Sequence, residues 1–105
     1  MIPLFKVPMS HKVEREAIDT LYSGMVTQGP KVNEFEESLS NEFSNPFVLT
    51  TGAGTHALHL ALRLANIGPG DEVITTPLTC TATNMPILIQ GADIVWADVK
   101  KDFNI

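Results

Sequence analysis

The sequence predicts an α/β fold in which helices cover a sheet of parallel strands. Short apolar runs near 47–51, 72–76 and 94–98 alternate with longer segments of helical periodicity. These runs are apolar throughout instead of alternating with polar residues, which is typical of strands buried on both faces. The resulting order of strand, helix, strand, helix and strand favours parallel pairing with right-handed crossovers.

Two amphipathic helices are predicted before the first strand. The first spans about 10–23, with Ser10 placed to act as its N-cap and Gly24 placed to end it. The second spans about 30–44, with Pro30 in its first turn. In both segments apolar residues recur every three or four positions and charged residues fill the remaining face, so each helix is expected to bury one stripe.

The helix predicted at 54–66 is more apolar than the first two. Its polar residues His56, His59 and Arg63 form one narrow stripe, so most of the helix is expected to be buried. We interpret both histidines as solvent-facing members of that stripe and not as metal ligands, because no other cluster of histidine or cysteine supports a metal site.

A further helix is expected between the second and third strands. The segment TCTATNMPILIQ has helical character, is expected to be interrupted near Pro86 and is closed by Gly91. The third strand, IVWADV, places Trp96 in a short apolar run, so this side chain is expected in the core.

Composition excludes several classes of function. The formal net charge of -5, with seven lysines and arginines, argues against a nucleic-acid partner. Cys80 is the one cysteine, so neither an intramolecular disulfide nor a cysteine-based zinc site is expected. No run approaches the roughly 20 apolar residues of a membrane span, and residues 1–10 lack the apolar core of a secretory signal. We therefore expect a cytoplasmic protein without a membrane partner.

The sequence TGAGTHAL, residues 51–58, has the strongest chemical signal in the chain. It joins a predicted strand to a helix start, where free backbone N–H groups and the helix dipole favour an anion. Gly52 and Gly54 allow a phosphate to approach the backbone, and Thr55 adds a hydroxyl donor. The spacing fits neither the dinucleotide nor the Walker pattern. Tight packing of the turn without any ligand remains an alternative.

Three segments in this order carry a resemblance to a known family: TQGPKVNEFEESL, TTGAGTHALHLALRLANIGPGDEVITTPLTCTATN and GADIVWADV. Together they resemble the start of the DegT/DnrJ/EryC1/StrS sugar aminotransferases. The resemblance implies a partial three-layer αβα large domain of the aspartate-aminotransferase fold, the type I fold of transferases that depend on pyridoxal phosphate. Residues 1–46 would form an N-terminal helical segment, and 47–105 would begin the α/β large domain that binds the cofactor.

The resemblance also implies an activity. Members use pyridoxal 5'-phosphate to transfer an amino group, usually from glutamate, to a keto sugar that is usually nucleotide-linked, in the biosynthesis of amino sugars or polysaccharides. The implied partners are therefore the keto sugar and the amino donor, and the complete protein would form a homodimer.

Site residues follow from the same resemblance. Gly54, Thr55 and the backbone of His56 match the positions that hold the cofactor's phosphate in the family. Cys80 occupies the position where many members place an aromatic ring against the cofactor, and a thiol covers less area than a ring. The positions that match the substrate side are Thr27, Gln28 and Asn84.

Transamination also needs a lysine that bonds to the cofactor and an acidic partner for the pyridine nitrogen. In the family both lie beyond residue 105, and none of the five lysines here matches the catalytic position. No catalytic residue is therefore assigned, and the chain is expected to be an inactive fragment, truncated product or part of a split gene. A module that binds phosphate without catalysis and a structural assembly remnant are the alternatives.

Overall fold

The computed structural model describes residues 2, 3 and 5–105, which form four helices and two strands in the described part of the chain. In chain order the elements are α1 Val13–Ser23, α2 Pro30–Phe43, α3 Gly54–Leu64, β1 Glu72–Thr75, α4 Thr81–Ile89 and β2 Asp93–Trp96. They fall into two compact units, Met1–Leu49 with α1 and α2, and Thr50–Ile105 with the remaining elements. None of the helices in the described residues is long and apolar enough to cross a membrane.

The predicted ends of α1 and α2 are confirmed except at one position. Gly24 ends α1 in the left-handed conformation, with φ 76°, and Pro30 is the first residue of α2. The N-cap prediction for Ser10 is wrong, because α1 begins at Val13 with Lys12 as its N-cap. The Ser10 carbonyl instead accepts a hydrogen bond from the Val13 amide at 3.1 Å, so Ser10 begins the turn that immediately precedes the helix.

The sheet consists of β1 and β2, and they pair in parallel as predicted. The register runs from Glu72 opposite Asp93 to Thr75 opposite Trp96. The strand predicted at 47–51 is wrong, since this segment has no strand structure. A strand persists only when its backbone pairs with a neighbour, and the segment has no ladder partner among the described residues.

The core of the second unit lies where α4 packs on β2. Its buried residues include Ile87 and Ala92, and Pro86 is fully buried. The predicted interruption near Pro86 is wrong, because α4 continues from Thr81 through Ile89. Proline removes one intrahelical hydrogen bond, and the complete burial of its ring offsets that loss.

Two predictions of burial are wrong. None of the residues of α3 is buried, and Leu64 remains 74% exposed. Trp96 is 56% exposed, although its strand is paired. An apolar pattern reports which faces favour burial, whereas the exposed fraction depends on the elements that cover them. Among the described residues, α4 and the two-stranded sheet are too small to cover these apolar faces.

Candidate functional site

The start of α3 presents free backbone donors. Ala53 is the N-cap, and no side chain caps the helix. The Thr51 hydroxyl donates to the Ala53 carbonyl at 2.9 Å, which stabilises the turn but leaves the amides of the first helical turn untouched. Among the described residues the N–H groups of Gly54 and Thr55 have no acceptor, as the first groups of an uncapped helix do. The turn therefore offers two adjacent donors at the positive end of the helix dipole.

The backbone of His56 behaves differently from its two neighbours. Its N–H donates to the Ala53 carbonyl at 3.0 Å, and the Ala57 N–H donates to the same oxygen at 3.1 Å. A ligand at the turn would therefore meet the Gly54 and Thr55 amides first and would share the His56 amide with Ala53.

Gly54 has no structural requirement within the described part of the chain. A Cβ placed on it would meet no atom within 4 Å, and its φ is not positive. Tight packing and an unusual backbone conformation are the two ordinary reasons for a glycine in a turn. Because neither applies at Gly54, its bare backbone is consistent with an approaching ligand.

Cys80 begins the second helix of this unit. It is the N-cap of α4, makes no side-chain cap hydrogen bond and is exposed. The first turn of α4 is closed instead by the Thr83 amide, which donates to the Cys80 carbonyl at 2.9 Å. The thiol is thus accessible beside an uncapped helix start.

Asn84 lies one turn further along α4 and is bound to the end of β1. The Thr75 hydroxyl donates to Asn84 Oδ1 at 2.8 Å, and Asn84 Nδ2 donates to the Thr76 carbonyl at 3.3 Å. One N–H of the side-chain amide remains for another acceptor, because the NH₂ group carries two. Thr75 is not among the residues predicted from the sequence, although the Thr-Thr pair that ends an apolar strand run was the available signal.

Thr27 and Gln28 lie in the first unit, between the end of α1 and Pro30, and both side chains are exposed. The other predicted site residues, Gly54, Thr55, His56, Cys80 and Asn84, belong to the second unit. Within that unit the start of α3 and the start of α4 carry all five.

A sequence profile decides the family: the DegT/DnrJ/EryC1/StrS aminotransferase profile matches residues 9–105. The chain belongs to this family. Similar proteins include the spore coat polysaccharide biosynthesis protein SpsC of Bacillus subtilis, which is 39% identical over 93% of this chain and 25% of its own length. This DegT/DnrJ/EryC1/StrS chain spans about a quarter of the length of the relatives it matches.

Solved structures of sugar aminotransferases share the fold. The putative sugar aminotransferase Spr1654 from Streptococcus pneumoniae, described in a PLP-form and a PMP-form, is 39% identical with a TM-score of 0.84 over 96% of this chain and 26% of its own. The sugar aminotransferase CalS13 from Micromonospora echinospora is 46% identical with a TM-score of 0.81, over 95% and 27% of the two chains. The two units are therefore a partial α/β region of the aspartate-aminotransferase fold, as predicted.

Proposed function

We propose that the complete protein is an aminotransferase that uses pyridoxal 5'-phosphate and transfers an amino group from glutamate to a nucleotide-linked keto sugar. The product would enter the biosynthesis of amino sugars or polysaccharides. The turn at 51–58 carries the proposal: it lies within the family match, it has two free amides at an uncapped helix start, and Gly54 opens it to a ligand.

The residues of the turn fit the phosphate of this cofactor. A phosphate dianion favours the positive end of a helix and accepts hydrogen bonds from free amides. We assign this role to the Gly54 and Thr55 amides and the Thr55 hydroxyl, with the His56 amide as a weaker donor because it already bonds Ala53. When bound, the cofactor supplies an electron sink for amino transfer.

We propose that the other predicted residues orient the cofactor ring and contact the substrate. We propose that the exposed Cys80 side chain lies against the cofactor ring as a small polarisable surface. Asn84 would donate its remaining N–H to the substrate while its other polar atoms hold the end of β1. Thr27 and Gln28 are proposed as substrate contacts from the loop that precedes α2.

We further propose that the complete protein is a cytoplasmic homodimer. The net charge of -5 supports small-molecule partners over nucleic acid, because phosphate backbones bind clustered positive charge. A module that binds pyridoxal phosphate without catalysis is the second candidate, because the phosphate-binding turn alone would support binding.

The test is amino transfer by the full-length protein. Purified protein is supplied with pyridoxal phosphate, glutamate and a panel of nucleotide-linked keto sugars, and amino sugar and 2-oxoglutarate are measured together. We expect stoichiometric formation of both products with at least one sugar. Tight cofactor binding without turnover of any sugar would support the binding module instead. Failure to bind the cofactor at all would overturn both candidates.

A further inference from the structure

A cavity with both polar and apolar walls lies in the second unit, between α3 and the end of α4. Its volume is about 470 Å³, and the residues that line it are His56, His59, Leu60, Arg63, Ile89 and Gln90. None of these six is acidic, and Arg63 makes no ion pair within the described residues. The cavity, named here the α3–α4 groove, is therefore lined by positive charge and hydrogen-bond donors in a chain of net charge -5.

Gln90 gives the groove a feature that a solvated helix face lacks. The residue is only 9% exposed, yet its side-chain amide makes no hydrogen bond to any described residue. No polar side-chain atom in the described part of the chain is both fully buried and unpaired, so the Gln90 amide keeps access to the groove. The residue is therefore mostly buried, while its side-chain amide remains accessible to a ligand or an ordered water.

The other donors come from one side of α3. His56, His59 and Arg63 follow at intervals of three and four residues, so the helix brings them to the same face. His59 is half-buried, whereas His56 and Arg63 are exposed and can reach a ligand without moving the backbone. A guanidinium group binds phosphate and carboxylate oxygens through a planar pair of donors.

We propose that the α3–α4 groove binds a small molecule through a phosphate or carboxylate group. Arg63 pairs with the oxyanion, His59 and His56 donate from the imidazole rings, and the Gln90 amide donates from the floor. The apolar side chains of Leu60 and Ile89 cover the carbon portion of the ligand. The size of the groove accommodates a ligand larger than a bare phosphate ion.

Calorimetric titration of the full-length protein tests this site, with pyrophosphate and malonate as probes of the two oxyanion chemistries and chloride as the baseline. We expect saturable binding of at least one probe and a loss of about tenfold in affinity in Arg63→Gln. Arg15→Gln is the matched control, because it removes the same charge from an exposed helical position in the first unit and should leave affinity unchanged. The relative response to the two probes identifies the anion class.

Two further variants separate this groove from the turn at the start of α3. This comparison uses protein saturated with pyridoxal phosphate, so that the turn is already occupied by the cofactor. Thr55→Ala should then weaken cofactor binding, whereas Gln90→Leu should weaken pyrophosphate or malonate binding. Weakening of pyrophosphate or malonate binding by Thr55→Ala with no effect of Arg63→Gln would place the anion at the turn and overturn the proposal. Absence of saturable binding would overturn the proposal as well. Because the Arg63 side chain is exposed, Arg63→Gln should not disturb folding, so its effect reports on binding.

Discussion

The hydroxyl of Thr75 donates to the side-chain oxygen of Asn84 at 2.8 Å, which joins the last residue of β1 to the first half of α4. Thr75 is buried, and the second polar atom of Asn84 holds the Thr76 carbonyl at 3.3 Å. The pair therefore sets where the chain leaves the sheet before it reaches Cys80, one of the proposed cofactor contacts.

Removing one member of this pair should destabilise the protein more than removing both. Asn84→Ala leaves the buried Thr75 hydroxyl without a partner and should lower the free energy of unfolding by about 1–3 kcal/mol. The double variant Asn84→Ala with Thr75→Val removes both polar groups and should recover part of that loss. Urea denaturation of the single and double variants measures the coupling. Strictly additive effects would show that the hydrogen bond contributes nothing.

The turn at the start of α3 should control cofactor affinity. Loss of one hydrogen bond to a charged group costs about 1.5–3 kcal/mol, so Thr55→Ala should weaken pyridoxal phosphate binding roughly ten- to a hundredfold in the full-length protein. Gly54→Val should weaken it further by blocking the close approach of the phosphate to the backbone. A Cβ at this position meets no protein atom within 4 Å.

His56→Ala is the internal control for that series. Only the backbone of His56 is proposed to contact the cofactor phosphate, so its side chain should contribute little to cofactor affinity. Equal affinity of wild type and Gly54→Val in a cofactor titration would place the phosphate elsewhere and leave the turn as a packing feature.

Residues 1–105 alone should be inactive towards any keto sugar with glutamate. None of the five lysines matches the family's catalytic position, so the cofactor should form no specific covalent bond with this chain. Borohydride reduction with substoichiometric pyridoxal phosphate, followed by peptide mapping, checks this. Labelling concentrated on a single lysine would contradict it, and scattered low labelling is the expected pattern.

Lys31 should control the titration of Glu16. Its ammonium group lies 2.8 Å from carboxylate oxygens of both Glu16 and Glu34. The hydrogen bond and charge of Lys31 hold the pKa of Glu16 below 4.5, and the same contacts raise the pKa of Lys31. Lys31→Gln should therefore move the pKa of Glu16 upward towards its ordinary value, as measured by NMR titration of the carboxyl carbon.

The pH dependence of this contact follows from the directions of the two pKa shifts, downward for Glu16 and upward for Lys31. A depressed carboxyl pKa contributes stability above the ordinary glutamate pKa and loses it as pH falls through the lowered value, whereas a raised lysine pKa contributes below about 10.5. The ion pair should thus persist across neutral pH and weaken in acid. Lys12→Gln serves as the control, and an equal shift of the Glu16 pKa in that variant would contradict a specific contact.

The sequence by itself determined the local features. The backbone freedom of glycine predicts the end of α1 at Gly24 and the open turn at Gly54, and the missing N–H of proline predicts the start of α2 at Pro30. The apolar pattern predicts the parallel order of β1 and β2. Each of these signals depends on residues that are close in sequence. The family resemblance followed from the same stretches, because the residues of the turn and the helix after it are contiguous.

Tertiary structure alone decided the features that join distant segments. The bond between Thr75 and Asn84, the burial of Gln90 at the end of α4, and the exposure of Trp96 depend on which element lies beside each residue. The run at 47–51 has the composition of a strand but forms none, because strand structure needs a backbone partner and composition cannot supply one. Local conformational preference acts within a few residues, whereas pairing and burial are set by contacts across the fold.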